Sequence, residues 1–343
     1  MDRIRMIFSE MESDIQAKST SYLEGKLIIR LLENKRAFSI YVAVDYEFKR
    51  MFLLSVPKRI DETILKMLPT WKGICIRQEK FKNPLYNKEE WFLVIEQRNA
   101  LGIEIYESLI GDLYENIKMM NTFNSMLTKL HQILEKWQHF FSKNRIVGLS
   151  IEEQKGLFGE LIFMNSVLKN YVSPAIVDFW YGPDEDLTDY HFPYFGVEVK
   201  TTVATKPYKV MISNEKQLEM NNVKKLYLCS VLIENNNQEG TSINDLVIEI
   251  KNQLREFPST IELFESKLFH IGYLEAQSDI YEENKFVVVN SYYFMIDENF
   301  PRIISSDLPE GISNVKYQLL LDSCKDHMID NEKLFGEIRE QLI

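Results

Sequence analysis

The amino-acid sequence predicts an α/β protein of the α+β kind. A mixed central sheet flanked by helices is expected from about residue 148 onward, preceded by a smaller α+β domain. Three observations predict it. A capped amphipathic helix opens at Ser150, an acid-bearing hairpin follows around Asp189 to Lys200, and Leu226 to Ile233 is nearly continuous apolar chain. A strand buried on both faces reads as such a run, whereas a half-exposed strand alternates.

The N-terminal elements come first. Phe38 to Val56 alternates around Asp45-Tyr46-Glu47 as a hairpin would, and Gly73 to Arg77 and Trp91 to Glu96 add short strands. Ile110 to Phe141 reads as one long helix, with Leu113, Ile117, Met120, Met126, Leu130, Ile133, Leu134 and Trp137 at helical spacing. His131 and His139 lie on it without a second ligand cluster, so they are read as structural or surface residues. The polar stretch Ser142 to Arg145, followed by Gly148, marks the boundary. The expected domains are therefore 1–145, ending in that long helix, and 146–343, which carries a C-terminal β/α extension.

In the second domain, Ser150 and Glu153 form the S-x-x-E pattern of a capping box. The run continues through Leu157, Leu161, Met164 and Leu168. An apolar stretch, Ile176 to Trp180, leads into a polar turn, Gly182 to Asp186. Beyond the hairpin, Val210 to Ile212 reads as a strand, and Ser213 begins a helix-like run through Gln217 and Leu218. Asn235 to Gly240 is a loop, and Ile243 to Leu254 and Thr260 to Phe269 are helices separated at Pro258. Phe286 to Ile296 and Val315 to Leu321 supply further strands.

The chemistry concentrates in the hairpin. With its turn at Pro193-Tyr194-Phe195-Gly196, outward pairing sets His191 opposite Glu198, Tyr190 opposite Val199 and Asp189 opposite Lys200. Opposed residues share a face, so Asp189, His191, Glu198 and Lys200 stand on one side. Tyr190, Phe192, Val197 and Val199 stand on the other. Two carboxylates offer the hard oxygen ligands that Mg²⁺ takes, and a lysine two residues on could orient water or neutralise phosphate. The same Glu-x-Lys also describes a solvated cross-strand pair. Upstream, Glu153 and Glu160 are seven residues apart, about 10 Å along one helix face. Gly156 and Gly159 each cost a helix about 1 kcal/mol relative to alanine. Their presence suggests that another backbone or a ligand approaches closely.

Composition bounds the function. The 343 residues are 45% hydrophobic and 27% charged, as in a globular protein with ample core. No run reaches the roughly 18 apolar residues of a membrane helix, and no signal-peptide pattern opens the chain. Three scattered cysteines, Cys75, Cys229 and Cys324, fit a reducing cytoplasm and no zinc site. The net charge of −11 argues against a generic basic coat for nucleic acid. Lysines and arginines nevertheless gather between Lys49 and Lys82 and again between Lys200 and Lys225, where Lys206, Lys209 and Lys216 are candidate backbone-phosphate contacts. Acid collects around Glu275 to Glu298. There is no P-loop, G-x-S-x-G or H-E-x-x-H motif, so ATP hydrolysis and serine or zincin chemistry are not expected.

Taken together, GLFGEL (Gly156 to Leu161), Asp189-Tyr190, Val197-Glu198-Val199-Lys200-Thr201-Thr202 and Glu215-Lys216-Gln217-Leu218 resemble the PD-(D/E)XK nuclease superfamily. More narrowly they are similar to the bacterial PD-(D/E)XK motif proteins of phage-defence gene clusters. The resemblance is specific over about residues 150–220. It implies a restriction-endonuclease-like core, Mg²⁺ with Mn²⁺ as substitute, and a DNA endonuclease acting in defence. Asp189, Glu198 and Glu160 would be metal ligands and Lys200 catalytic, with Glu153, Gln217 and Asp184 accessory. The superfamily's Pro-Asp occurs here as Pro183-Asp184, so Asp184 and Asp186 rival Asp189. The alternative is an inactive nuclease-like module that binds DNA or assembles with other defence proteins, such as an ATPase or helicase, with a homodimer as one state. No membrane association is expected.

Overall fold

The structure, a computed structural model, describes residues 2–17, 27–98, 102–142, 148–171, 173–182, 188–220 and 223–342. The chain divides into two compact units, Met1–Ile146 and Val147–Ile343.

The first unit runs α1 (Asp2–Gln16), β1 (Leu27–Asn34), β2 (Ser39–Asp45), β3 (Arg50–Val56), α2 (Glu62–Met67), β4 (Ile74–Lys82), β5 (Glu89–Gln97), α3 (Ile103–Ile117) and α4 (Phe123–Ser142). Its strands form an antiparallel sheet in the order β1-β2-β3-β5-β4. The expected hairpin is β2–β3, and the two short strands are the longer β4 and β5. Helix α1 was hidden by its charges: Ile4, Phe8, Met11 and Ile15, at helical spacing, are all buried. The long helix expected from Ile110 to Phe141 is two helices. Thr122 and Ser125 cap the second one, with the Ser125 amide donating to Thr122 Oγ1 at 3.1 Å. Trp137 Nε1 then ties α4 back to Asp112 of α3 at 3.0 Å.

The second unit opens with α5 (Ile151–Asn170) and a 3-10 turn at Pro174–Val177. It continues β6 (Tyr190–His191), β7 (Phe195–Val203), β8 (Lys209–Ile212), β9 (Lys225–Asn235), α6 (Ile243–Gln253), α7 (Pro258–Ile271), α8 (Ser278–Glu282), β10 (Phe286–Ile296), β11 (Tyr317–Leu320), β12 (Met328–Ile329) and α9 (Asn331–Leu342). The sheet order is β12-β10-β9-β7-β6, with β7 and β9 parallel and the other pairs antiparallel. It is mixed, as expected. Residues 226–233 are apolar apart from the buried Ser230 because β9 is buried on both faces. Tyr227, Cys229, Val231 and Ile233 pack with Leu157, Leu161 and Met164 of α5, while Leu226, Leu228 and Leu232 pack under Val210, Ile212 and Leu319 of the β8–β11 ribbon. The helix-like run after Ser213 is only a 3-10 turn, Glu215–Leu218, and Pro258 begins α7 as its first residue.

The hairpin register differs from the expected one. Tyr190 pairs with Val197 and His191 with Gly196, and the Phe192 amide donates to the Phe195 carbonyl at 2.9 Å. The turn therefore closes around Pro193 and Tyr194 alone. Phe195 belongs to the strand because its ring is buried and stacks on Phe192 with centroids 4.6 Å apart. Pairing slides by two residues, which preserves the faces, since strand side chains alternate with period two. Tyr190, Phe192, Val197 and Val199 remain together in the core. Continued one step, the register sets Asp189 level with Glu198 rather than Lys200.

Candidate active site

Helix α5 carries the first acid to the sheet. Its capping box forms as expected: Glu153 Oε2 accepts from the Ser150 amide at 2.9 Å and hydroxyl at 2.8 Å. Glu153 thereby serves as the cap of α5. Six residues on, Gly159 lets α5 lie against β7. A methyl at Gly159 would overlap Thr201 Oγ1 and crowd Val199, whereas one at Gly156 would meet nothing within 4 Å. Only Gly159 marks a close approach.

Glu160 follows directly. Its Oε2 accepts from Trp180 Nε1 at 2.8 Å, and its backbone carbonyl accepts from the Tyr190 hydroxyl at 2.8 Å. Gly182 lies against the same Oε2, where a side chain would collide with the carboxylate. Trp180 bridges Tyr190, and the Tyr181 and Gly182 amides donate to the Asp189 carbonyl at 2.8 and 3.1 Å. The segment before the hairpin thus ties Glu160 to Asp189.

Asp189 caps the end of the β6–β7 ladder: its Oδ2 accepts from the Val199 amide at 2.6 Å, just past the Tyr190–Val197 pair. Glu198, only 2% exposed, is bonded through Oε1 to Lys200 Nζ at 2.5 Å. His191 lies one step nearer the turn, edge-on to Tyr181.

These groups share one electrostatic environment. Burial, with Glu198 nearby, pushes Glu160 up to about 7 against the opposing Trp180 bond and Lys200 charge. Asp189 is raised well above the carboxylate range, first by burial and then by Glu198 and Glu160. Burial alone would lower the Lys200 ammonium, but Glu198 and Asp189 outweigh it and hold that group above its ordinary value. The structure thus brings Glu160, Asp189, Glu198 and Lys200 into mutual range.

Among the described residues no group of three or more His, Cys, Asp or Glu side chains forms a ready metal cage. Structural zinc, which takes four protein donors, does not fit. Mg²⁺ does, because it is commonly held by one or two carboxylates with waters completing an octahedron. Asp189 Oδ1 and Glu198 Oε2 have no hydrogen-bond partner among the described residues and would be the holding oxygens.

Gln217 Oε1 accepts from the Ser213 amide at 2.8 Å and closes its own turn. Asp184 and Asp186, the rival acids, lie outside the described residues. Lys206, Lys209 and Lys216 are exposed. The basic stretch Lys49 to Lys82 is largely neutralised: Lys49 pairs with Glu47, Arg59 with Glu62, Arg77 with Glu79 and Glu96, and Lys80 with Glu89. Its Arg50 is buried between Glu12 and Glu107. Sequence reading missed Trp180, Tyr190 and Gly182 as supports of Glu160. Trp180 ends the apolar run Ile176 to Trp180, and hydropathy alone does not single out its one polar edge.

No helix among the described residues is long and apolar enough to cross a membrane. Neither the curated proteins nor the solved structures include a match to this chain. A family model does match, from residue 4 to residue 322, and its description is "Putative PD-(D/E)XK family member, (DUF4420)". The match spans nearly the whole chain, both units included, and with a helix acid, a hairpin acid and Glu-Val-Lys already converging at one end of a mixed sheet, the chain belongs to this PD-(D/E)XK family.

Proposed function

We propose that the protein hydrolyses phosphodiester bonds in DNA, with Mg²⁺ as its cation and Mn²⁺ as a substitute, in defence against foreign DNA. One observation carries the reading: three largely buried carboxylates, Glu160, Asp189 and Glu198, share a single ammonium, Lys200. Fully ionised, that group holds two negative charges in excess, which a divalent cation balances. Ion pairs this secluded are stable only when their charges are compensated.

The bound cation would supply Lewis acidity toward the phosphate and a more acidic water. The chain's own residues do the rest. Asp189 and Glu198 hold the cation. The Glu198 carboxylate keeps the Lys200 ammonium charged and aimed, so that Lys200 orients the attacking water and faces the scissile phosphate. Glu160 completes the negative wall, offering Oε1 while Trp180 retains Oε2.

Plasmid, linear and single-stranded DNA incubated with Mg²⁺, Mn²⁺ or EDTA test this reading. Cleavage is expected with either metal and none with EDTA. Glu198→Gln preserves shape and removes charge, and Lys200→Ala removes the ammonium; each is expected to lower the rate by at least ~100-fold, the scale of losing one transition-state charge contact. If Lys200→Ala cuts as fast as the parent, Lys200 has no part in the chemistry; if the parent never cuts, the module is a non-catalytic DNA-binding or assembly subunit.

A further inference from the structure

We infer that Lys267, far along the chain on α7, positions Glu160 through Trp180, and that this relay sets how tightly the acid cluster holds a divalent cation. The inference rests on the cluster being a cation site, as proposed above, and does not depend on what is cut.

The geometry is a chain of direct contacts. Lys267 Nζ donates to the carbonyls of Val177 at 2.9 Å and Asp178 at 3.2 Å, and also to that of Trp180. The same ammonium lies 5.0 Å from the Tyr181 ring centroid. An ammonium has three donors, and three carbonyls within four residues of one loop lie in its reach. The Val177 carbonyl also accepts from the Trp180 amide at 3.3 Å, so the ammonium and the turn share it. The next link is the Trp180 indole, buried and packed on Phe264 with centroids 5.7 Å apart. Its only donor reaches Glu160 Oε2 at 2.8 Å. Phe264 and Lys267 are on the same helix, one turn apart, so α7 grips Trp180 by both its ring and its backbone.

This arrangement has a consequence for Glu160. With Oε2 engaged by the indole and Gly182 closed against it, only Oε1 is available to a cation or its waters. Trp180 and Lys267 are thus positioning residues, acting through Glu160 and touching no cation themselves. Groups that orient a metal-binding side chain typically change metal affinity by about 10- to 100-fold when removed.

The test is Mn²⁺ binding by the full-length protein without nucleic acid, followed by loss of the free-ion paramagnetic signal. Trp180→Phe keeps the ring against Phe264 and removes the donor, and should weaken Mn²⁺ binding about 10-fold or more. Lys267→Met should do the same, and the double variant should be no weaker than about the worse single one, because links in series are not additive. Two separate packing defects would multiply instead. Thermal unfolding of each variant reports the structural cost independently. Unchanged Mn²⁺ affinity in a folded Trp180→Phe protein overturns the relay, and so does a multiplicative double variant. Trp180→Phe decides alone if Lys267→Met does not fold. The two readings fail separately: a parent that binds Mn²⁺ through the relay but never cuts loses only the nuclease reading, and one that cuts with unaltered Mn²⁺ affinity in Trp180→Phe loses only the relay.

Discussion

At the scale of single residues, two glycines three positions apart on α5 have opposite roles. Gly156 has open space where its side chain would be, so Gly156→Ala should stabilise the protein by up to about 1 kcal/mol through helix propensity. Gly159 faces Thr201, so Gly159→Ala should destabilise by roughly 1–3 kcal/mol as α5 is forced off β7. Urea unfolding of the two variants reads both signs, and the same sign for both would remove the close-packing account. The buried Thr201 hydroxyl has no hydrogen-bond partner among the described residues. Thr201→Ala should therefore recover part of the Gly159→Ala loss, since it removes the atom that the new methyl meets.

Elements set how these residues are delivered. Helix α5 begins where its capping box closes, and Ser150→Ala should cost about 1 kcal/mol in thermal or urea unfolding. Mn²⁺ affinity should stay at the parent value, because Glu153 serves the cap and lies seven residues before Glu160. A loss of affinity larger than the loss of stability would return Glu153 to the cation site. The hairpin illustrates a different limit of sequence reading. Alternation identified which side chains share a face, and that held. The pairing depended on whether Phe195 turned or extended, and its stacking on Phe192 decided for strand. Asp189 consequently caps the Val199 amide beside Glu198 instead of facing Lys200.

For the whole molecule, net charge −11 and local charge point different ways. Residues Lys49 to Lys82, basic on paper, are mostly bound in ion pairs within the first unit. In the second unit, Lys209 and Lys216 are exposed and form no salt bridge among the described residues, and Lys206 lies over the Tyr208 ring. If these lysines hold a phosphate backbone, replacing all three with alanine should weaken DNA binding regardless of sequence. The salt slope should flatten by about one unit per lost contact. Titration of labelled duplex at several salt concentrations checks this, and an unchanged slope would assign the three lysines to solvation.

The sequence alone determined the features that depend on neighbours a few residues away. The capped α5, the two faces of the β6–β7 hairpin, the doubly buried β9 and the Glu-Val-Lys pattern all follow from short-range periodicity and capping chemistry. What it left open depended on contacts between distant segments. The break between α3 and α4, the hairpin register, and the burial that lifts Glu160 and Asp189 above ordinary acids are of this kind. So is the reach of Lys267 to carbonyls nearly ninety residues earlier. Local pattern specifies which surface of an element is apolar, but only packing specifies what covers it, and with that the dielectric and the partners on which the chemistry of an acid depends.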